Sequence, residues 1–471
     1  MPKLALPSVK PGLLRQLGFF SATALVISNM VGAGIFSTTG FLAGNLGSAN
    51  LVLLCWAVGA LFAFAGALSY SELGINFPSS GGEYVYLTHA FGPEWGFMTG
   101  WVSFFAGFSA PIAAAALTFS DYLGHFLPAL HMAHTGTRIG WSGVFSLRVG
   151  GAQLVASLLI AAFTLLNCMG VGRTAKVQNV LTSIKLVVLV GFVLIGLAAG
   201  SGSWSHFTEP GPNAGSGASG MLTQFFVSLL WVVWAYSGWN AATYVAEEVR
   251  NPERTLPTAL AAGTGIVALL YLGLNVVFLY ATPISALAEK ATKGEIAIGS
   301  QAALSLFGPR ISGVFSGLMA LAIVSSVNAM VTVGPRVYYA MAKNKAFLRA
   351  AASVHPRWHT PVVAIVSQGL CAILMTLTPF PDLVIYIGLS LTLFSVLTVV
   401  SLLVFRRKRP GWQSLHALDF AWPLIPASYI VVGACMMTYG VVKHPVASLT
   451  AFATVGVGGL VYRLGVGARP A

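Results

Sequence analysis

The sequence predicts an all-α membrane protein: twelve transmembrane helices in a 5+5 inverted repeat with broken helices 1 and 6, followed by two extra C-terminal helices. Three observations carry that expectation. Charged residues make up 8% of the chain and apolar ones 56%, with a mean hydropathy of +0.81, whereas a soluble domain has about a quarter of its residues charged. Apolar runs of about 20 residues recur throughout, and no alternating pattern of barrel strands is present. Small residues interrupt the first apolar run, and a second interruption follows five runs later.

The N-terminal tail, 1–16, carries Lys3, Lys10 and Arg15, and no small-residue cleavage site follows the first apolar run, which therefore reads as a retained helix. The expected spans are 17–46, 50–76, 95–127, 149–170 and 175–199 in the first repeat (17–199), and 220–249, 256–282, 303–341, 360–379 and 382–405 in the second (220–405). Spans 420–442 and 446–465 form the 420–465 pair outside the repeat, and 466–471 is the C-terminal tail. With both termini cytoplasmic, eighteen Lys and Arg fall inside, six (Arg138, Arg148, Lys290, Lys293, Arg310, Lys443) fall outside and Lys185 alone lies within a span, accounting for all 25. The bias follows the positive-inside rule. The net charge of +13 thus reflects topology in the cell membrane, and no nucleic-acid partner is implied. Cys55, Cys168, Cys371 and Cys435 all lie in apolar segments without metal-site or disulfide spacing, so they read as packing residues.

The first interruption is Asn29-Met-Val-Gly-Ala-Gly-Ile-Phe36. Glycine in a helix interior costs about 1 kcal/mol relative to alanine, and an opened turn in hydrocarbon must face protein or a polar cavity. Close approach of another helix is the other use of such glycines. The sixth span carries its own interruption in Trp234-Ala-Tyr-Ser-Gly-Trp-Asn240, followed by Glu247 and Glu248. Matched breaks in two five-helix halves point to an inverted-repeat carrier with a midplane binding site. Lys185 lies ten residues into its span, roughly 15 Å deep at about 1.5 Å per residue. That is too deep for easy snorkelling, and such a charge normally faces a polar interior.

Six motifs, in order, resemble the amino acid–polyamine–organocation superfamily, and their wording is most similar to its L-type amino acid transporter family. They are Val-Gly-Ala-Gly-Ile-Phe (31–36), Ala-Leu-Ser-Tyr-Ser-Glu-Leu-Gly (67–74), Pro-Ser-Ser-Gly-Gly-Glu-Tyr-Val-Tyr (78–86), Tyr-Ser-Gly-Trp-Asn (236–240), Glu-Glu-Val-Arg-Asn-Pro (247–252) and Ser-Ser-Val-Asn (325–328). The resemblance implies a substrate site formed by Val31, Gly32, Ala33, Gly34 and Ile35 at the first break and Trp234, Ala235, Tyr236, Ser237 and Gly238 at the second, with Asn328 lining the pocket. Freed N–H groups of residues 32–35 would hold a carboxylate at a helix N-terminus. Carbonyls before Ser237 would take an ammonium group. Trp234 falls where the family has an aromatic gate, with packing as the alternative role.

Lys185 resembles a fifth-span lysine that, in sodium-independent members, replaces the cation between the first and eighth spans, with carbonyls near Val31 and Gly32 and the hydroxyl of Ser325 or Ser326 as partners. Asn328 is equally suited to a plain interhelical hydrogen bond. Glu247, Glu248 and Arg250, with Arg336 or Lys343, suit an inner gate of ion pairs or simply solvated helix ends at the water interface. The segment 78–86 suits a re-entrant or surface loop. The loop at about 128–148 lacks the cysteine by which eukaryotic members join a heavy chain, so no disulfide-linked heavy chain is expected. No Asp or Glu is expected in the pocket, which favours neutral amino acids. The expected activity is sodium-independent exchange of neutral L-amino acids without cofactor or metal, with proton-coupled transport of an amino acid or amine, or a non-transporting sensor, as alternatives. No metal cluster or nucleophile constellation marks an enzyme.

Overall fold

Eleven helical stretches among the described residues are long and apolar enough to cross a membrane. The protein is seen here as a computed structural model describing residues 15–132, 137–141, 145–213, 217–293 and 297–466. Lys3, Lys10 and Arg469 of the inside charges, and most of both tails, lie outside the described residues. The expected all-helical membrane architecture holds, with local corrections. The ninth span is Val362–Met375, 14 residues. At about 1.5 Å per residue it is roughly 21 Å long, short of the ~30 Å hydrocarbon core, because Pro361 precedes it and the run ends at Thr376. The expected eighth span merged two helices, Ile298–Phe307 and Pro309–Lys343, which turn at Gly308. Its φ of +77° favours glycine, and Pro309 then starts the long helix at a position that needs no N–H. The loop before the fourth span contains an antiparallel strand pair, Thr137–Trp141 and Phe145–Val149.

The first span divides into Phe19–Met30 and Ala33–Leu46, and 83% of its most apolar window is buried, against 17% for Pro445–Val466 at the other end of the chain. Both are apolar, so hydropathy alone does not separate the central helix from the lipid-facing one. Lipid tails are as apolar as leucine, and close packing of small residues decides which helices sit inside. The first span packs against the fifth, sixth, seventh and eighth, and the sixth (Ala218–Tyr236) also against the second, tenth and eleventh. The segment 78–86 is not a surface loop: residues 80–87 are buried, and Glu83–Phe91 is helical.

Polar clamps hold the bundle near its ends. Glu72, fully buried on the second span, accepts from Arg406 Nε (2.6 Å) and Nη2 (2.5 Å), Trp412 Nε1 (2.7 Å) and the Leu415 N–H (2.8 Å). Arg406 also pairs with Asp419 at 2.8 Å. Removing one partner of a buried pair costs about 3–5 kcal/mol, because the other charge is left uncompensated. Arg406→Ala should therefore clearly lower the unfolding temperature of the detergent-solubilised protein; an unchanged Tm would exclude this clamp as a stabilising element.

Candidate functional site

At the first break the helix stops at Met30, Val31 takes φ −75° and ψ 88°, and Gly32 caps a new helix from Ala33. The half-helix thus starts two residues before the expected Ile35, and the N–H groups of Ala33, Gly34 and Ile35 have no helical carbonyl one turn behind them. Other spans satisfy the opened carbonyls. Lys185, fully buried, donates to Val31 O at 2.5 Å, to Ser326 Oγ at 2.7 Å and weakly to Ser28 O at 3.5 Å. The Ser326 hydroxyl also donates to Val31 O. Ser325, by contrast, bonds back to Ala322 O of its own helix at 3.1 Å. Tyr271, from the seventh span, reaches Met30 O at 2.6 Å and Ala235 O at 3.0 Å, so one hydroxyl lies between the two broken helices.

The sixth span opens at Ser237 (φ −56°, ψ 147°) and Gly238 (φ +102°), then resumes as the single turn Ala241–Tyr244. The two breaks touch. A Cβ on Gly34 would sit 2.3 Å from Ala235 Cα, and one on Gly238 would sit 2.7 Å from the carbonyl carbon of Asn29. Both uses of the first-break glycines therefore occur together: Gly34 permits close approach, while the turn at Val31 and Gly32 is open. Ala33 and Ile35 are buried.

A cavity of about 60 Å³ lies against the second break, bordered by Asn29, Ser237, Gly238, Asn240, Glu83 and Tyr429 among others. Trp234 does not border it; its ring packs edge-on to Phe380 at 5.8 Å. Tyr236 points away, packing on Trp56 and Tyr271 and donating to Trp56 O at 3.3 Å. Asn328 is fully buried in a side-chain chain: Asn167 Nδ2 donates to its Oδ1 (3.0 Å), and its Nδ2 donates to Gln178 Oε1 (2.7 Å). Gln178 Nε2 continues to Thr182 (3.1 Å), which meets Ser28 at 2.6 Å. Asn328 here joins spans four, five and eight, with both ends of its amide engaged, and does not border the cavity. Glu83 corrects the expectation of an acid-free pocket. That acid sits in the 78–86 segment, which the sequence reading treats only as a loop.

The expected gate is not at the water interface. Arg336 Nε donates to Glu248 Oε1 at 2.9 Å, with both side chains 2% exposed. The Glu248 carbonyl takes the N–H groups of Gln16 and Leu17 at 2.9 Å, tying the entry of the first span to the exit of the sixth. Glu247 takes no part in that pair; its backbone N–H donates to Ser80 Oγ at 3.2 Å, and Lys343 lies over the Tyr339 ring. Sequence reasoning missed Tyr271, because one tyrosine in an apolar span carries no signal of facing two breaks, and it missed the Gln178–Thr182–Ser28 links, which need the packing to be seen.

The class these features define is a multi-pass membrane protein built around two interrupted helices that meet inside the bundle. Residues 17–460 match the amino acid permease family model, and the chain belongs to that family. Among its relatives, the large neutral amino acids transporter small subunit 2 of Homo sapiens is 28% identical, over 96% of this chain and 81% of its own. The serine/threonine exchanger SteT of Bacillus subtilis (strain 168) is 28% identical over 91% of this chain and 92% of its own. The Asc-type amino acid transporter 1 of Mus musculus is 26% identical over 98% and 82%.

The two glycines of the first break should respond differently. Gly34→Ala forces backbone apart at Ala235, whereas a Cβ on Gly32 would meet Ser326 at an ordinary 3.5 Å. In reconstituted vesicles Gly34→Ala should lose amino acid uptake while still inserting, and Gly32→Ala should keep most of it. Equal uptake by the two variants would rule out the Gly34–Ala235 contact as a functional constraint.

Proposed function

We propose that this chain exchanges neutral L-amino acids across the cell membrane, without sodium, by alternating access around the first and sixth spans. The observation that carries the reading is the meeting of the two breaks, with Gly34 against Ala235 and the Tyr271 hydroxyl between Met30 and Ala235. The N-terminus of the helix beginning at Ala33 suits a carboxylate, since unpaired N–H groups and the positive end of the helix dipole converge there. Carbonyls at the end of the sixth-span helix suit the ammonium group. Because Gly34 is packed on Ala235, occupation of the first break requires the sixth span to move off it, which links binding to a change of shape. A 5+5 inverted repeat with cytoplasmic termini accounts for two breaks entered from opposite sides.

Lys185 takes the part of a coupling cation in this scheme, joining spans one, five and eight through Val31 O and Ser326. Exchange and a neutral substrate are supported by relatives named as a serine/threonine exchanger and as a neutral amino acids transporter. The absence of a cysteine from the loop at 128–148, and the placement of all four cysteines within helices, support action without a disulfide-linked heavy chain.

Proteoliposomes loaded with unlabelled amino acid should take up labelled serine or a large neutral amino acid from outside, equally with sodium or with potassium as the external cation. No trans-stimulated uptake of any amino acid would sink exchange, and an absolute sodium requirement would sink the role given to Lys185. Lys185→Ala should slow exchange on the order of tenfold or more, the scale of one charged hydrogen bond worth about 1.5–3 kcal/mol, at an unchanged level of inserted protein.

A further inference from the structure

One buried acid beside the second break has no cationic partner among the described residues. Glu83 opens the helix Glu83–Phe91, outside the membrane-crossing stretches, and is 4% exposed. Its Oε1 accepts from the Tyr70 hydroxyl at 2.5 Å and from Asn240 Nδ2 at 3.3 Å. No described residue donates to Oε2, and Glu83 borders the cavity against Ser237 and Gly238. The other deeply buried acids noted above are paired, Glu72 with Arg406 and Glu248 with Arg336.

Among the described residues, the titratable groups that face Glu83 are tyrosines: Tyr70 from the second span, Tyr86 from its own helix, Tyr244 from the sixth span and Tyr429 from the eleventh. Spans one, three, eight and ten present only neutral side chains to the cavity. Burial without a counter-charge therefore pushes the Glu83 carboxyl up to about 7, against the pull of the two donors. Its state is also passed on. Asn240, two residues beyond Gly238, shares its amide between Glu83 and the Tyr244 hydroxyl (3.0 Å), so loss of the negative charge weakens one hold on the broken segment.

We propose that Glu83 is a proton-binding site of this carrier: its carboxylate takes a proton from cavity water onto Oε2 when the protein closes around it and returns that proton to water when the cavity opens. Movement at the second break is thereby linked to pH. The link to transport rests on the alternating-access reading above; proton binding does not.

The test uses the purified full chain and Glu83→Gln, over about pH 5.5 to 8.5. A carboxyl raised above its unfolded value of 4.5 stabilises the fold fully below that value and loses the contribution as pH rises through about 7. Wild-type Tm in detergent should fall from about pH 5.5 to about 7 and level off above it, and Glu83→Gln should not follow. In proteoliposomes, wild-type exchange should change several-fold over the same window, with the dependence flattened in the variant. Where Glu83→Gln gives no folded protein, Tyr70→Phe, which removes a donor to the charged form, should move the midpoint upward. The proposal is overturned by an identical Tm profile in wild type and Glu83→Gln, by an unmoved Tyr70→Phe midpoint, or by exchange with unaltered pH dependence in Glu83→Gln. A pH-linked Tm lost in Glu83→Gln, with no exchange of any amino acid, upholds the proton site and fails the transport reading instead.

Discussion

The open turn at Val31 and Gly32 exists because Lys185 and its neighbours satisfy it. A helix opened in hydrocarbon leaves backbone carbonyls that cost several kcal/mol each if bare. Val31 O is held by the Lys185 amino group from the fifth span and a hydroxyl from the eighth, and Met30 O by Tyr271 from the seventh. The same contacts compensate Lys185, a charge that hydrocarbon would otherwise reject. Charge and open turn stabilise each other, and the packing of spans one, five, seven and eight is organised around them.

Around that centre the polar groups divide by how completely they are partnered. Arg336–Glu248 and Arg406–Glu72 are buried pairs at helix ends, where breaking one partner is costly. The Asn167–Asn328–Gln178–Thr182–Ser28 chain runs between spans with its amides engaged, which fits a rigid scaffold better than a ligand surface. Beside the second break the pattern changes: among the described residues no donor reaches one oxygen of Glu83, which borders a cavity. Fully satisfied groups hold parts in place, and an incompletely satisfied acid beside a cavity is where a proton or a shift of conformation has leverage.

Much of this was legible along the chain. Low charge and recurring apolar runs mark a helical membrane protein, and Gly32-Ala33-Gly34 and Ser237-Gly238 mark where helices open, because backbone preference is local. Lys185 stands out because one charge in an apolar run violates a strong rule. Side-chain direction was not legible. Trp234, Tyr236 and Asn328 lie on the expected helices, yet their rings and amide turn to Phe380, Trp56 and Gln178 instead of the cavity. Arg336 and Glu248, read either as partners in an ion pair or as solvated helix ends, are paired and buried.

The chain order alone thus specifies where the membrane helices run and where two of them break, since hydropathy, glycine strain and the positive-inside bias act over short windows. Which partner each polar group finds was settled by packing. Ser326 and not Ser325 meets Lys185, Gly34 and not Gly32 lies against Ala235, and Tyr271 sits between the breaks, because these choices depend on helix rotation and on contacts between residues 36 to 295 positions apart.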